Sequence, residues 1–162
     1  MNQSAALPVT LVLDTSGVVA LYDASAHDHA GAVVCVQGAA LRLVPAAILA
    51  EIDYMLGVRL APAAAADFLR GVVAGFFVIE PFTREDAGYC VALIEKYARL
   101  QLGLADAAVM AVSERHRAPD VLSLDRRHFG VVKPSAFAVF RLWPDETTMP
   151  VAKPAVRRKR RT

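Results

Sequence analysis

The stretch LPVTLVLDTSGVVALYD, residues 7–23, decides the fold class. Its first half, LPVTLVLD (7–14), is a short run of apolar and β-branched residues, which predicts a buried strand. Its second half, TSGVVALYD (15–23), predicts a helix whose N-terminus Thr15 or Ser16 would cap. A buried strand that leads directly into a helix is typical of sheets covered by helices.

The alternation of strands and helices continues along the chain. Further strands are predicted at 41–44, 76–80, 121–125 and 137–143, and further helices at 27–38, 45–60, 62–75, 83–100 and 104–117. The helices predicted at 45–60 and 62–75 both begin with proline, which is common at the first helical position. This order predicts an α/β protein, a three-layer α/β/α sandwich around a mostly parallel central sheet. We expect one domain, residues 7–145.

Length and composition are those of a globular chain: 162 residues, 56% hydrophobic and 21% charged. The longest apolar stretches, such as 72–79, fall far short of the roughly 20 residues that span a bilayer. The first residues lack the basic region of a signal peptide. Cys35 and Cys90 lie among apolar residues without metal-binding spacing. We therefore expect buried thiols, a reducing cytoplasm and no membrane partner.

The net charge of +2 is unevenly distributed along the chain. Residues 151–162 contain six cations and no acid, which leaves 12 basic against 16 acidic residues, a net charge of −4, for the rest. Adjacent like charges repel one another, so we expect the basic segment at 149–162 to be a disordered tail. Such a tail is either simply solvated or contacts nucleic acid.

Four acidic residues occupy positions of interest for chemistry. Asp14 closes the first predicted strand, and Asp125 closes the one at 121–125. Glu51 interrupts an apolar helix, and Asp106 is the only ionisable residue in the run 102–112. Parallel sheets form their sites outside the carboxyl ends of the strands, near the point where strand order reverses. The four side chains are therefore expected to converge at one edge of the sheet.

Clustered carboxylates need a compensating cation to remain ionised together. No lysine or arginine lies one helical turn from Asp106 or Glu51 to act as that partner. Mg²⁺ or Mn²⁺ suits oxygen ligands, and such a centre can bind a phosphodiester and activate water for in-line attack. We expect Asp106 to share a divalent cation with Asp14, Asp125 and Glu51.

Each acid also has a purely structural interpretation. Asp14 and Asp125 can cap the segments that follow them, and Asp106 can be an acid that favours a helix N-terminus. Glu51 can face solvent, because Asp53 shows that its helix has a polar side. The histidines at 27 and 29 have no further ligand cluster nearby, so we expect a loop and a helix start there and no zinc.

Taken together, these segments resemble the PIN-domain nucleases, and most closely the VapC-type toxins. LVLDTSGVVALYD, ILAEIDYML and LGLADAAVMAVSERHRAPDVLSLDRRHF resemble the opening, middle and closing blocks of that family over roughly residues 9–143. By this resemblance Asp14, Glu51, Asp106 and Asp125 match the acidic metal-binding quartet. Thr15, Ser16 and Ser123 match the small hydroxyl residues near the metal.

The resemblance implies a Mg²⁺- or Mn²⁺-dependent endoribonuclease that cuts RNA needed for translation. It also implies a homodimer and a cognate antitoxin whose C-terminal segment lies across the active site. Arg126, Arg127 and His128 directly follow Asp125 and are expected beside the proposed site, where they either bind RNA phosphate or form solvated surface.

Three other classes of protein compete with this interpretation. A haloacid-dehalogenase-like phosphatase needs a second aspartate at position 16, which is serine here. A phosphoacceptor signalling domain needs an acidic pair after the first strand and a lysine after a late one, and Lys133 lies in the wrong context. A PIN fold that binds nucleic acid or a partner protein without cutting remains an alternative, although all four acids are present.

Overall fold

The central sheet consists of five parallel strands. The computed structural model describes residues 7–145 and 148, so the tail predicted at 149–162 lies outside the described residues. The strands are β1 (Thr10–Leu13), β2 (Leu41–Pro45), β3 (Val78–Glu80), β4 (Asp120–Leu122) and β5 (Arg141–Trp143). Their order in the sheet is β3-β2-β1-β4-β5, and every neighbouring pair is parallel. The predicted α/β class is confirmed, with a sheet that is parallel throughout.

Helices flank this sheet and connect its strands. They are α1 (Thr15–Tyr22), α2 (His29–Gly38), α3 (Leu49–Arg59), α4 (Pro62–Val73), α5 (Arg84–Lys96), α6 (Leu104–His116) and α7 (Arg126–Phe129). Short 3-10 turns cover Ala46–Ile48 and Ala98–Leu100. In the described part of the chain the longest helices have 13 residues, and none is long and apolar enough to cross a bilayer.

Several predicted boundaries are wrong. Pro45 does not begin a helix, because its backbone is extended (φ −61°, ψ 129°) and pairs with Glu80 at the end of β2. The helix α3 begins only at Leu49, after a 3-10 turn, so Glu51 lies in its first turn and not in its middle. The strand predicted at 121–125 ends at Leu122, so Asp125 does not close it.

The core lies between the sheet and its most buried helix, α6. Residues 11–13 of β1 are fully buried, and so are nearly all residues of α6 from Ala107 to Ser113. A helix that is apolar on all sides belongs in an interior, and the small alanines of α6 let it pack closely against β1 and β2. Cys35 and Cys90 are buried free thiols as predicted, and burial raises the pKa of each to about 11.

The strand order reverses between β1 and β4. The chain runs outward from β1 through β2 to the edge strand β3, then returns to pair β4 with the other side of β1. The register aligns Val12 with Val121 and Leu13 with Leu122, so the two strands end side by side. A crevice at the carboxyl ends of such neighbouring strands is the usual ligand site of open parallel sheets.

Gly17 brings α1 against the end of β4. A Cβ atom at Gly17 would lie 2.2 Å from the carbonyl oxygen of Leu122, which is far inside van der Waals contact. The N–H of Asp14 donates to that same carbonyl at 3.0 Å. The absence of a side chain at position 17 therefore allows the segments after β1 and β4 to lie close together, which is where the predicted acids are found.

Candidate active site

A cleft of about 510 Å³ opens at the carboxyl ends of β1 and β4. Its lining includes all four acids singled out in the sequence, Asp14, Glu51, Asp106 and Asp125. They come from four segments on both sides of the reversal in strand order: the start of α1, the first turn of α3, the first turn of α6 and the turn after β4. All four acids therefore line one cleft at this edge of the sheet, but among the described residues only Asp106 and Asp125, together with His128, place ligand atoms within 4.8 Å of one another.

Asp14 is the most buried of the four acids, with 6% of its surface exposed. It occupies the N-cap position of α1, but its side chain makes no capping hydrogen bond, so the predicted capping role of Asp14 is wrong. The predicted cap by Thr15 or Ser16 is also wrong, since Thr15 is already the first helical residue. Instead Oδ2 of Asp14 accepts hydrogen bonds from Ser16 Oγ at 2.6 Å and Ser123 Oγ at 2.8 Å.

Both serines are themselves held by backbone N–H groups of the segment after β4. The N–H of Leu124 donates to Ser16 Oγ, and the N–H of Asp125 donates to Ser123 Oγ, each at 3.0 Å. Each hydroxyl therefore accepts one hydrogen bond from the backbone and donates one to Asp14, and the two donated bonds orient the carboxylate. This network, Ser16–Asp14–Ser123, ties the end of β1 to the turn that carries Asp125.

Substitution S123A is expected to lower the free energy of unfolding by about 1–3 kcal/mol, because it removes a buried hydrogen bond to Asp14 and leaves the partly buried N–H of Asp125 without its acceptor. Urea titration of both proteins measures the difference. Ser113 provides a matched control, since its hydroxyl is equally buried but has no hydrogen-bond partner among the described residues. Substitution S113A should cost little, and equal losses for the two variants would contradict the role of the network.

Asp106 lies in the first turn of α6 with 19% of its side chain exposed. Burial raises the pKa of this carboxyl group, and the charges of Asp14 and Asp125 raise it further, against the opposing effects of His128 and the Gly103 N–H. The bond from that N–H is long, at 3.4 Å. Asp106 therefore does act as a helix N-terminal acid, but its ionised form is only partly compensated in the cleft.

Asp125 uses its two oxygens differently. Oδ1 caps α7 by accepting the N–H groups of Arg127 at 2.9 Å and His128 at 3.3 Å, so the predicted capping role is correct. Oδ2 faces the cluster, 2.8 Å from Nδ1 of His128. The capping bonds fix the carboxylate without occupying the second oxygen, which is left for another partner.

His128 was expected beside the site from the sequence, but it was not included among the metal-binding residues. Its Nδ1 lies between Oδ2 of Asp125 and Oδ2 of Asp106, at 2.8 and 3.2 Å, and donor atoms of the three residues lie within 4.8 Å of one another. The signal was the spacing in DRRH: an N-cap aspartate and a residue three positions later face each other in a helical turn. The sequence analysis allowed Asp125 to cap the turn that follows it, but it did not deduce from this spacing that His128 would face Asp125.

The remaining predicted residues divide between the cleft and the surface. Glu51 lines the cleft and is exposed to solvent, as its structural interpretation required. Thr15 is buried in the lining, and its hydroxyl has no partner among the described residues. Arg126 and Arg127 are exposed on α7 outside the lining, and Arg126 donates to the carbonyl oxygen of Pro144 at 3.2 Å.

The protein is thus an α/β protein with a parallel sheet, and it carries carboxylates and a histidine where the strand order reverses. This arrangement is a candidate metal centre. The sequence pattern of the PIN domain family matches residues 11–133. The chain is 30% identical over 135 residues to Ribonuclease VapC26 of Mycobacterium tuberculosis, an alignment that covers 83% of this chain and 100% of that protein. The chain belongs to the PIN domain family and is of the VapC type, which confirms the resemblance found in the sequence.

The fold is also similar to that of a solved structure. The crystal structure of Mycobacterium tuberculosis VapC20, described as a sarcin-ricin loop cleaving toxin, aligns with a TM-score of 0.69. The alignment covers 80% of this chain and 99% of VapC20, at 16% identity. At that identity the likeness concerns the fold alone.

Proposed function

We propose that this protein is a metal-dependent endoribonuclease toxin that cleaves RNA required for translation and is neutralised by a cognate antitoxin. The observation that carries the proposal is the convergence of four carboxylates, from both halves of a parallel sheet, in one cleft. Membership of the PIN domain family, and the ribonuclease activity in the name of a relative 30% identical over its whole length, support the same conclusion.

The residues of the cleft fit a divalent cation. Asp106, Asp125 and His128 offer donor atoms within 4.8 Å of one another, and burial disfavours the ionised form of Asp106, which a bound cation would favour. Asp14 and Glu51 complete the proposed acidic set. When bound, Mg²⁺ or Mn²⁺ would supply Lewis-acid activation of water and stabilise negative charge on the reacting phosphate.

The protein's own residues orient these ligands. Ser16 and Ser123 hold Oδ2 of Asp14, and the capping bonds of α7 hold Oδ1 of Asp125, so neither carboxylate has to reorganise when substrate binds. Thr15 supplies a buried hydroxyl in the same lining. We assign Thr15, Ser16 and Ser123 a supporting role, and the four acids the metal-binding and catalytic role.

Arg59 is the best candidate in the cleft for binding RNA phosphate. The described lining contains five acids and a single cation, Arg59, at the end of α3. Within the described part of the chain its guanidinium makes no hydrogen bond or ion pair, and it is exposed. RNA backbones are bound chiefly through such contacts between arginine and phosphate. Arg126 and Arg127 remain secondary candidates beside the cleft.

Substitution R59A is expected to weaken RNA binding about tenfold and to reduce the slope of log affinity against log salt by about one. Fluorescence anisotropy with labelled RNA measures both quantities. The D14N background prevents the substrate from being consumed. Arg84, exposed at the start of α5 and outside the cleft, is the matched control. An R84A variant that lost as much affinity as R59A would remove the special role of Arg59.

The partners follow from the same charge pattern. The acidic cleft suits an arginine-bearing segment of an antitoxin, because a guanidinium can take the place of the cation as counter-charge. We further propose that the protein is a homodimer, that residues 7–145 form the nuclease domain, and that its RNA target places its action in the cytoplasm. The basic segment at 149–162 is proposed to be a tail.

The experiment that tests the function is cleavage of total RNA by the purified protein with Mg²⁺, with Mn²⁺ and with EDTA. We expect discrete products with 5′-phosphate ends, which require a metal and whose mapped termini identify the target. Metal binding without cleavage of any RNA would favour the alternative, a PIN-fold protein that binds nucleic acid or a partner. Absence of metal binding would overturn the assignment of the acidic set.

A further inference from the structure

We propose that His128 is a nitrogen ligand of the metal centre, and that it makes the centre discriminate against Mg²⁺ in favour of Mn²⁺. This inference rests on the proposed metal-dependent function and names a ligand outside the acidic quartet. Its basis is the position of one ring nitrogen between two carboxylates.

The first observation is the environment of Nδ1. This atom lies 2.8 Å from Oδ2 of Asp125 and 3.2 Å from Oδ2 of Asp106. It is buried, yet neither contact has the geometry of a hydrogen bond. Only 14% of the His128 side chain is exposed, so water does not provide an easy substitute. A buried polar atom needs a partner, and this one lies beside two carboxylate oxygens without a hydrogen bond to either. The three atoms are therefore placed so that one cation could bind all of them.

The second observation is the partner of the other ring nitrogen. Nε2 of His128 lies 3.3 Å from the carbonyl oxygen of Leu100. A carbonyl can only accept, so Nε2 carries the proton, and the neutral ring then has its lone pair on Nδ1. Metal-binding histidines characteristically donate their second ring N–H to a carboxylate or a backbone carbonyl, which orients the ring and fixes the tautomer. Leu100 provides that arrangement here.

The competing explanation is that a protonated His128 merely neutralises Asp106 and Asp125. In that case the ring is displaced or passive when the metal binds, and it has no effect on which metal is preferred. As a ligand it has a definite effect. Mg²⁺ is a hard cation that prefers oxygen and gives up its waters reluctantly, whereas transition metals accept imidazole nitrogen readily.

The test is calorimetric titration of metal-free protein with MnCl₂ and with MgCl₂. Substitution H128N replaces the nitrogen donor with an amide oxygen near the same position. We expect Mn²⁺ affinity to fall at least about tenfold while Mg²⁺ affinity stays nearly unchanged, so the preference for Mn²⁺ narrows. The matched control is H27N, because the His27 side chain is 87% exposed, pairs with Asp28 and does not belong to the ligand cluster. Thermal unfolding verifies that each variant folds.

A spectroscopic measurement on the wild-type protein does not depend on the variant folding. Pulsed EPR of the Mn²⁺-loaded protein should detect a coupled nitrogen whose frequency changes when histidine is labelled with ¹⁵N. Equal loss of affinity for both metals in H128N, no loss for either, or no histidine nitrogen coupled to Mn²⁺ would overturn the inference. If one of these results is found but the wild-type protein binds Mn²⁺ and cleaves RNA, only the role of His128 is wrong and the proposed function stands. If the wild-type protein binds no metal, the role of His128 and the proposed function both fail.

Discussion

The D14N variant is expected to cleave RNA roughly 1,000-fold more slowly than the wild-type protein, or not detectably, while keeping the same fold. The loss follows from removing one negative charge from the proposed metal-binding set at its most buried member. A gel assay with the RNA target, run at saturating Mn²⁺ and at saturating Mg²⁺, measures the two rates.

The fold is expected to survive because of how Asp14 is bound. Both serine hydroxyls donate to the same oxygen, Oδ2, so an asparagine that turns its amide oxygen to that position keeps both bonds. The control is D53N, an identical change at an exposed carboxylate of α3 outside the cleft. Wild-type cleavage by D14N would exclude Asp14 from the active site, and a comparable loss in D53N would show that the assay reports damage unrelated to the metal.

The D106N variant should lose cleavage to a similar extent and yet unfold at a higher temperature than the wild-type protein in EDTA. The expected gain is about 1 kcal/mol, or roughly 2–4 °C for a chain of this length. Burial, with the charges of Asp14 and Asp125, raises the pKa of Asp106, so the ionised carboxylate is less favourable in the folded state than in the unfolded one.

The pH dependence of this gain has a definite sign. The folded-state pKa lies above the ordinary value of 3.8, so the unfolded chain releases the proton first and stability falls as the pH rises through the folded-state pKa. Asparagine has no such proton. The advantage of D106N is therefore absent below a pH of about 3.8, grows as the pH rises to the folded-state pKa and stays constant above it.

Metal should reverse the comparison, because a ligand that binds only the folded state stabilises it by mass action. Scanning calorimetry at several pH values, with EDTA and with Mn²⁺, tests all three expectations. A D106N variant that is less stable than the wild-type protein in EDTA at neutral pH would mean that Asp106 serves chiefly as the helix N-terminal acid of α6.

The sequence was most informative where long-range patterns repeat. Strands and helices alternate so regularly that the parallel sheet follows. Asp14 stands out because it closes an apolar strand, and Asp106 because it interrupts an apolar run. The four acids were predicted together because carboxylates of different segments have one common use at the end of a parallel sheet. These predictions required only hydrophobic periodicity and the chemistry of charge.

Short-range geometry was harder to predict. Proline is a common first residue of helices, but Pro45 belongs to β2, because the pairing of β2 with β3 extends to Pro45 and Glu80. The single turn of α7 is too short to have a hydrophobic period, so its consequence, the approach of His128 to Asp125, was not visible in the sequence. The serine network was also missed in detail, because it depends on the distance between the ends of β1 and β4, which Gly17 allows.

The order of the strands has a consequence for synthesis of the protein on the ribosome. A nascent chain that has emerged only to residue 119 already contains Asp14, Glu51 and Asp106, but it lacks β4, the strand that pairs with the second side of β1. Ser123, Asp125 and His128 are not yet available either. The centre therefore cannot form during most of translation, and the ribosome that makes this protein completes nearly the whole domain before any cleavage can begin.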